Sequence, residues 1–346
     1  MSVTIREVSK RCGLSVSAVS KALNNYPDVS AQTRARVLAT AQQMGYYPNA
    51  LARGLKTNRT YNLGVILVDE MRDSLMHTFF IVVLNAFRRE AERLGYDITL
   101  INHNIGNTPR TYLDHCRQRN VDGVCLMCVD FYDDEIVAMA RDTLPLVTID
   151  HPFGGRDCVL SDNRIGMRAL LGYAIERGHR RIAFVHGTPS GVTSARLDAF
   201  QDVMREQGIQ PPPGYVRPSH YHSTRHAAQE VSALLALPQR PTCILMTDDY
   251  SALSGISAIQ AAGLRIPNDI SVAGYDGVAM IQKIRPQLTT FRQNGEGIGL
   301  RAAQRLIARI ENPGEPVPAP DIVAGTLLCG ETVAAVAGGQ PPLAAD

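Results

Sequence analysis

From residue 62 onward the sequence alternates short apolar runs with amphipathic stretches of helical period, and it does so twice in succession. The first series occupies 63–68, 79–94, 98–102, 112–119, 124–127, 136–141 and 146–149. The second occupies 163–177, 182–185, 196–206, 227–237, 244–246, 251–262 and 270–274. Short apolar runs bounded by turn residues read as strands buried on both faces, and such strands belong to parallel sheets connected by helices. The alternation therefore predicts doubly wound α/β structure, and its repetition predicts two similar lobes. Hydrophobic residues make up 45% of the 346, enough to fill more than one core. Ligands on open sheets of this kind bind beyond the carboxyl ends of the strands, so the cleft between the lobes is the expected small-molecule site.

The first 60 residues follow another pattern. They carry nine Lys/Arg against Glu7 and Asp28, a balance of +7, whereas the rest holds 26 basic and 31 acidic side chains, a balance of −5. A polyanion partner is expected to meet this head alone. Residues 4–11 read as a helix capped by Thr4, with Ile5 and Val8 on one face, and Gly13-Leu14-Ser15 supplies a tight turn into a second helix. There Val19 and Leu23 face inward, while Val16, Ser17, Ser20, Lys21 and Asn24 share the outer face. Ser30 caps a third helix that is expected to turn Val37, Leu38 and Ala41 inward and to stop at Gly45. This is a helix-turn-helix layout, whose second helix enters the major groove. Lys21 can donate to guanine O6 and N7, Ser17 can pair with several base edges, and Val16 offers apolar contact to a thymine methyl. A small helical bundle used for protein contacts is the other reading of the same residues.

Thr4-Ile5-Arg6-Glu7-Val8, Gly13-Leu14-Ser15, Ala18-Val19-Ser20-Lys21-Ala22-Leu23-Asn24, Val29-Ser30, Thr33-Arg34 and Gly45-Tyr46-Tyr47-Pro48-Asn49-Ala50-Leu51-Ala52-Arg53 resemble the LacI/GalR family, and the similarity runs through almost the whole chain. The resemblance implies base reading by Val16, Ser17 and Lys21 and phosphate contacts from Thr4, Ser20, Asn24 and Tyr46. Family members commonly place larger hydrogen-bonding side chains at the first two reading positions, and Val16 with Ser17 departs from that. Residues 49–56 could make two helical turns, too short to persist alone in water. The resemblance implies a hinge helix formed on DNA and paired across a dimer, with Asn49, Ala52 and Leu55 at the minor groove and Leu55 wedged into a central step. A plain linker is the alternative. The resemblance also implies a periplasmic-binding-protein-like fold crossed three times by the chain, near residues 160, 290 and 322. The expected organisation is then a head over 1–47, a hinge over 48–61, an effector-binding and dimerisation domain over 62–335 and a flexible tail over 336–346. Within that domain one lobe takes 62–160 and 291–321, the other 161–290 and 322–335.

Several residues at expected strand ends or helix starts suit a hydroxylated ligand. Arg196 is read as opening a helix and Asp276 as closing a strand; a guanidinium donates in a fixed fork and a carboxylate accepts from adjacent hydroxyls. A structural ion pair between them is the alternative. Both match effector-binding positions of the family, as do Asp150 and Asp248. Phe79 or Phe80 could stack on the apolar face of a sugar ring, with Tyr221 doing so from the other lobe, and each could equally be core. Where the family often has Asn-Pro before the two aromatics, this chain has His77-Thr78.

Cys125 and Cys128 have metal or redox spacing but lie in an apolar stretch, and the seven cysteines read as reduced thiols. His220, His222 and His226 with Asp248 or Asp249 are weighed as metal ligands and set aside because the histidines sit in a loop leading into a helix. Gly295-Glu-Gly297-Ile-Gly299 is no dinucleotide fingerprint and reads as a helix start. No phosphate loop, nucleophile elbow or triad stands out, so neither enzyme activity, cofactor nor metal is expected. The N-terminus lacks the apolar core of a signal peptide, and no run approaches the roughly 20 apolar residues of a membrane span, which points to the cytoplasm. The tail lacks the apolar heptads of a tetramer-forming coil, so a homodimer is expected. The sum is a transcription regulator, expected to be a repressor, on a near-palindromic double-stranded DNA operator, controlled by a small sugar-like effector. Lobes that chiefly receive a protein co-regulator, and an exported solute-binding protein, are the competing readings.

Overall fold

The computed structural model describes residues 3–46, 59–68, 78–105 and 108–336. The chain divides into two compact units, Met1–Tyr61 and Asn62–Asp346.

The head has three helices, α1 (Ile5–Cys12), α2 (Val16–Leu23) and α3 (Ala31–Gln43). Each starts on a hydroxyl residue: the side chains of Thr4, Ser15 and Ser30 accept the backbone N–H of Glu7, Ala18 and Thr33. These bonds satisfy amides that a helix start leaves without partners. At α1 the bond is reciprocal, because Glu7 accepts the Thr4 amide at 2.6 Å and so completes a capping box. Val8, Cys12, Val19, Ala22, Val37 and Ala41 form the core. Leu38 does not join it and is 49% exposed, contrary to expectation. Val37 and Ala41, one turn apart, set the inner stripe of α3, and Leu38 lies about 100° round the helix from Val37.

The second unit contains two six-stranded sheets. The first runs Asp321–Val323, Asp157–Ser161, Leu146–Ile149, Gly123–Met127, Asn62–Leu67, Asp97–Leu100. The second runs Thr326–Leu328, Thr289–Arg292, Ser271–Asp276, Cys243–Leu245, Ile182–His186, Val216–Pro218. All neighbours are parallel except the edge strand Thr326–Leu328, which is antiparallel to Thr289–Arg292. Side chains alternate across each sheet with period two: Leu63, Val65, Cys125 and Met127 enter one core, and Ile66, Val124 and Leu126 enter another on the opposite face. Within each lobe the order reverses between the first and third strands, and that reversal opens a crevice at the carboxyl ends.

The chain passes between lobes between Ser161 and Asn163, between Arg292 and Gly295, and between Val323 and Thr326. The expected boundaries need correction here. Thr289–Arg292 pairs with Ser271–Asp276 and so stays in the second lobe, while Asp321–Val323 pairs with Asp157–Ser161 in the first. The helix Gly295–Glu311 returns to the first lobe, capped by Asn294, and packs on Thr78–Arg93. A Cβ at Gly299 would lie 2.2 Å from the Val83 carbonyl oxygen, so only glycine lets the two helices approach this closely. Glu90, buried at the same contact, accepts from Arg93 and, at 2.7 Å, from Gln304. These partners hold its carboxyl down at about 2. All seven cysteines are unpaired, and no helix among the described residues is long and apolar enough to cross a membrane.

Candidate functional site

The outer face of α2 presents Val16, 40% exposed, beside exposed Ser17 and half-buried Ser20 and Lys21. Asn24 ends the helix and donates to the Ser20 carbonyl at 2.7 Å. Tyr46 is half-buried against the head core, and the Thr4 hydroxyl is engaged in its capping box. Asn49, Ala52 and Leu55 lie outside the described residues.

In the second unit a cavity of about 680 Å³ opens between the lobes. It sits at the switch points. Val68 and Cys128, which follow the two strands flanking the reversal in the first sheet, both line it. The Val68 amide donates to the Cys128 carbonyl at 3.2 Å. From the second lobe come Ser190 to Val192 at the start of helix Gly191–Glu206, which Ser190 caps. Arg196 therefore lies in the second turn of that helix rather than opening it. The sequence signal for the true start was the hydroxyl cap at Ser190, six residues before Arg196.

Arg196 is 4% exposed and stands at the centre of the polar wall. Its Nε donates to the Asn163 side chain at 2.8 Å and its Nη1 to the Thr247 carbonyl at 3.0 Å. Its guanidinium carbon lies 3.5 Å from the centroid of the Tyr275 ring. The remaining nitrogen, Nη2, has no hydrogen bond among the described residues. Asp150 and Asp276 also line the cavity, but neither is within ion-pair distance of Arg196 among the described residues, so the three groups are held separately. Asp150 accepts the Ser161 amide at 2.6 Å, and Asp276 accepts the Gln293 side-chain amide at 2.6 Å. The Gln293 carbonyl oxygen is buried without a partner.

Burial raises both carboxyl groups, with Arg196 opposing the rise; Asp276 reaches about 7. Burial alone would lower Arg196, but Tyr275, Tyr221, Asp276 and Asp150 more than offset it. The cation is thus secured, and Asp276 can carry or release a proton near neutral pH.

Apolar surfaces complete the site. Phe79 and Phe80 begin the helix Thr78–Arg93 with ring centroids 5.0 Å apart, edge to face, and both line the cavity. Phe131 and His151 stack at 4.6 Å with planes 5° apart, beside Tyr132, which is 65% exposed. Tyr221 enters from the second lobe, its hydroxyl 2.8 Å from that of Thr193. A Cβ at Gly187 would lie 2.2 Å from the Tyr221 ring, so the ring's seat requires that glycine.

Four residues of the lining have left-handed backbone without being glycine: Cys128 (φ 53°), Asp150 (φ 61°), His222 (φ 56°) and Asp276 (φ 103°). Such conformations cost roughly 1–3 kcal/mol each and persist only where the surroundings impose them. Their concentration on one cavity marks it as the place where the fold accepts strain.

The structure thus brings together Phe79, Phe80, Asp150, Arg196, Tyr221 and Asp276. It does not bring Asp248 to the lining. Asp248 caps the helix Asp249–Ala261, accepting the Ser251 amide and hydroxyl at 2.8 and 2.9 Å and the His222 amide at 2.9 Å. Its carboxylate is spent on the helix start and on fixing His222. Sequence reasoning missed Gln293, Asn163, His151 and Tyr132. Gln293 and His151 follow strands, and the rule that found Asp150 would have found Gln293 had the strand Thr289–Arg292 been recognised. His220 and His226 face each other with centroids 4.6 Å apart, and no group of three or more His, Cys, Asp or Glu among the described residues could hold a metal ion. Cys125 is buried in its strand, which raises its thiol, whereas Cys128 is half-buried at the strand end.

Comparison with known proteins decides what carries this site. The profile of bacterial regulatory proteins of the lacI family matches residues 4–49, and that of the periplasmic binding protein-like domain matches 171–333. The HTH-type transcriptional repressor PurR of Pasteurella multocida is 31% identical over 317 residues, covering 90% of this chain and 93% of its own. The chain belongs to the lacI family. It is a DNA-binding transcription regulator with an effector-binding domain, not an enzyme. PurR of Pectobacterium carotovorum is 33% identical to this lacI-family regulator over 319 residues, with 90% and 92% of the two chains covered. The lac repressor dimer bound to operator and the anti-inducer ONPF superposes with a TM-score of 0.82 at 24% identity, covering 97% of this regulator and all of that chain. The complex of the transcriptional regulator CelR with cellobiose gives 0.70 at 22%, covering 95% and 99%. Both share its fold.

Proposed function

We propose that this lacI-family regulator is a cytoplasmic repressor that binds a near-palindromic operator as a homodimer and is switched by a small carbohydrate in the cleft. The observation that carries the effector class is Arg196. It is a buried guanidinium with one nitrogen unpartnered among the described residues, set among two carboxyl groups and the Gln293 amide. Donors and acceptors so distributed suit a ligand whose adjacent hydroxyls both give and take hydrogen bonds, and the Phe79 and Phe80 rings suit the apolar face of a sugar. The cellobiose in the CelR complex supports the same class. Repression and dimeric operator binding are supported by the PurR relatives and the lac repressor complex.

On the DNA side Val16, Ser17 and Lys21 read bases, Thr4, Ser20, Asn24 and Tyr46 meet phosphates, and Asn49, Ala52 and Leu55 take the minor groove. Calorimetric titration with a panel of mono- and disaccharides tests the effector reading. Binding that Arg196→Ala weakens by at least about tenfold is the expected result, and silence across the panel overturns the class. Lys21→Ala and Leu55→Ala should each lose operator affinity while keeping that of the effector. Unchanged DNA affinity in both removes the assignment of the head.

A further inference from the structure

Asp28 is one of two acidic residues in a head otherwise charged to meet a polyanion. The other, Glu7, is absorbed by the capping box of α1. Asp28 stands in the loop between α2 and α3, 52% exposed, with Oδ2 2.5 Å from Nζ of Lys21 on the outer face of α2. The loop that holds it is built. Arg34 of α3 donates from Nη2 to the carbonyls of Tyr26, at 2.8 Å, and Val29, at 3.2 Å, on either side of Asp28. The Tyr26 amide in turn donates to the Lys21 carbonyl at 3.1 Å, tying the loop back to the reading helix.

An unpaired lysine is a flexible point charge that can rotate to any phosphate or base acceptor. Held by a carboxylate, its ammonium spends one donor and keeps two for the O6 and N7 of a guanine. The carboxylate also repels phosphates, so a complex in which Lys21 lacks a base acceptor sets Asp28 against the backbone without return, which disfavours wrong sequences. We propose that Asp28 is a specificity-determining residue of the DNA head: it positions Lys21 for a guanine and discriminates against non-specific DNA. The inference rests on Lys21 as a base reader.

The test selects bound duplexes from a random pool with the full-length protein, its Asp28→Asn and Asp28→Glu variants, and Lys21→Ala. Asp28→Asn should raise affinity for random-sequence DNA about three- to tenfold. It should also steepen the dependence of log K on log salt by about one, as a freed Lys21 takes a phosphate. The enriched sequences should lose their guanine at the position that Lys21→Ala also changes. Asp28→Glu, which keeps the charge, should restore most of the preference, a rescue that a purely structural role of the loop does not predict. If Lys21→Ala alters the enriched sequences and Asp28→Asn does not, the role of Asp28 is wrong and that of Lys21 stands. If Lys21→Ala alters nothing, both fall.

Discussion

The hydroxyls of Thr78 and Tyr250 lie 2.5 Å apart, joining a helix of one lobe to a helix of the other across 172 residues of sequence. Tyr250 also meets the His222 ring, centroids 5.6 Å apart, next to the cavity lining. An arrangement of lobes that preserves this bond is favoured by one hydrogen bond, worth about 0.5–1.5 kcal/mol. Tyr250→Phe should weaken effector binding about two- to tenfold, as should Thr78→Val, and the double variant should lose no more than either alone. Additive losses in calorimetric titration would show that the hydroxyls do not act as a pair.

Arg196→Ala should cost effector affinity about 10- to 150-fold, the range of about 1.5–3 kcal/mol for a hydrogen bond to a charged group. DNA binding without effector should persist, because the hydrogen-bond partners of Arg196 among the described residues, Asn163 and Thr247, belong to the second unit. Parallel titrations of sugar and of operator check this.

The raised carboxyl of Asp276 makes effector binding depend on pH. At about 7 it passes from acceptor-only carboxylate to protonated acid as pH falls, so affinity should drop between pH 8 and 6, and Asp276→Asn should flatten that part of the profile. Stability moves the other way. The folded chain keeps this proton where the unfolded chain, near the ordinary 3.8, has released it. The contribution is fully favourable below about pH 4, declines as pH rises to about 7 and is constant above. Asp249, raised by burial to about 7, adds to the same window. Comparing thermal unfolding of the parent and Asp276→Asn isolates the part due to Asp276.

Gly187→Ala should displace Tyr221, since the added Cβ falls 2.2 Å from its ring. About 1–3 kcal/mol of stability is expected to be lost with it, together with effector affinity. Unfolding by denaturant and sugar titration read the two losses separately.

In the head, Val37→Ala should destabilise by about 2 kcal/mol, a buried aliphatic truncation, while Leu38→Ala should stay within about 0.5 kcal/mol. Denaturant unfolding of the isolated pair of variants against the parent distinguishes the inner stripe of α3 from its edge.

Much of this architecture was legible because its signals are local. Hydroxyl caps at Thr4 and Ser30, and fully apolar strands such as Gly123–Met127, announce themselves in a few adjacent residues. What escaped were edge strands such as Val216–Pro218 and Asp321–Val323, which carry charge or proline and are strands only because a neighbour supplies hydrogen bonds. The same split runs through the site. Asp150 and Asp276 could be found at the ends of recognisable strands, but Asp248, another aspartate shortly beyond a strand, is consumed by the Ser251 and His222 amides. Which acid faces a cavity and which caps a helix is decided by side-chain geometry that no spacing encodes.

The left-handed backbone at Cys128, Asp150, His222 and Asp276 limits how this pocket can be redesigned. Every residue other than glycine enters that region at a steric cost, smallest for Asn and Asp and greatest for β-branched side chains. Libraries that randomise these four positions will return mostly unstable proteins. A change of ligand preference is better sought at Phe79, Phe80, Tyr132 and Gln293, whose backbones take ordinary angles. In a protein of this design the carboxylates form the fixed frame and the aromatic and amide side chains the adjustable surface.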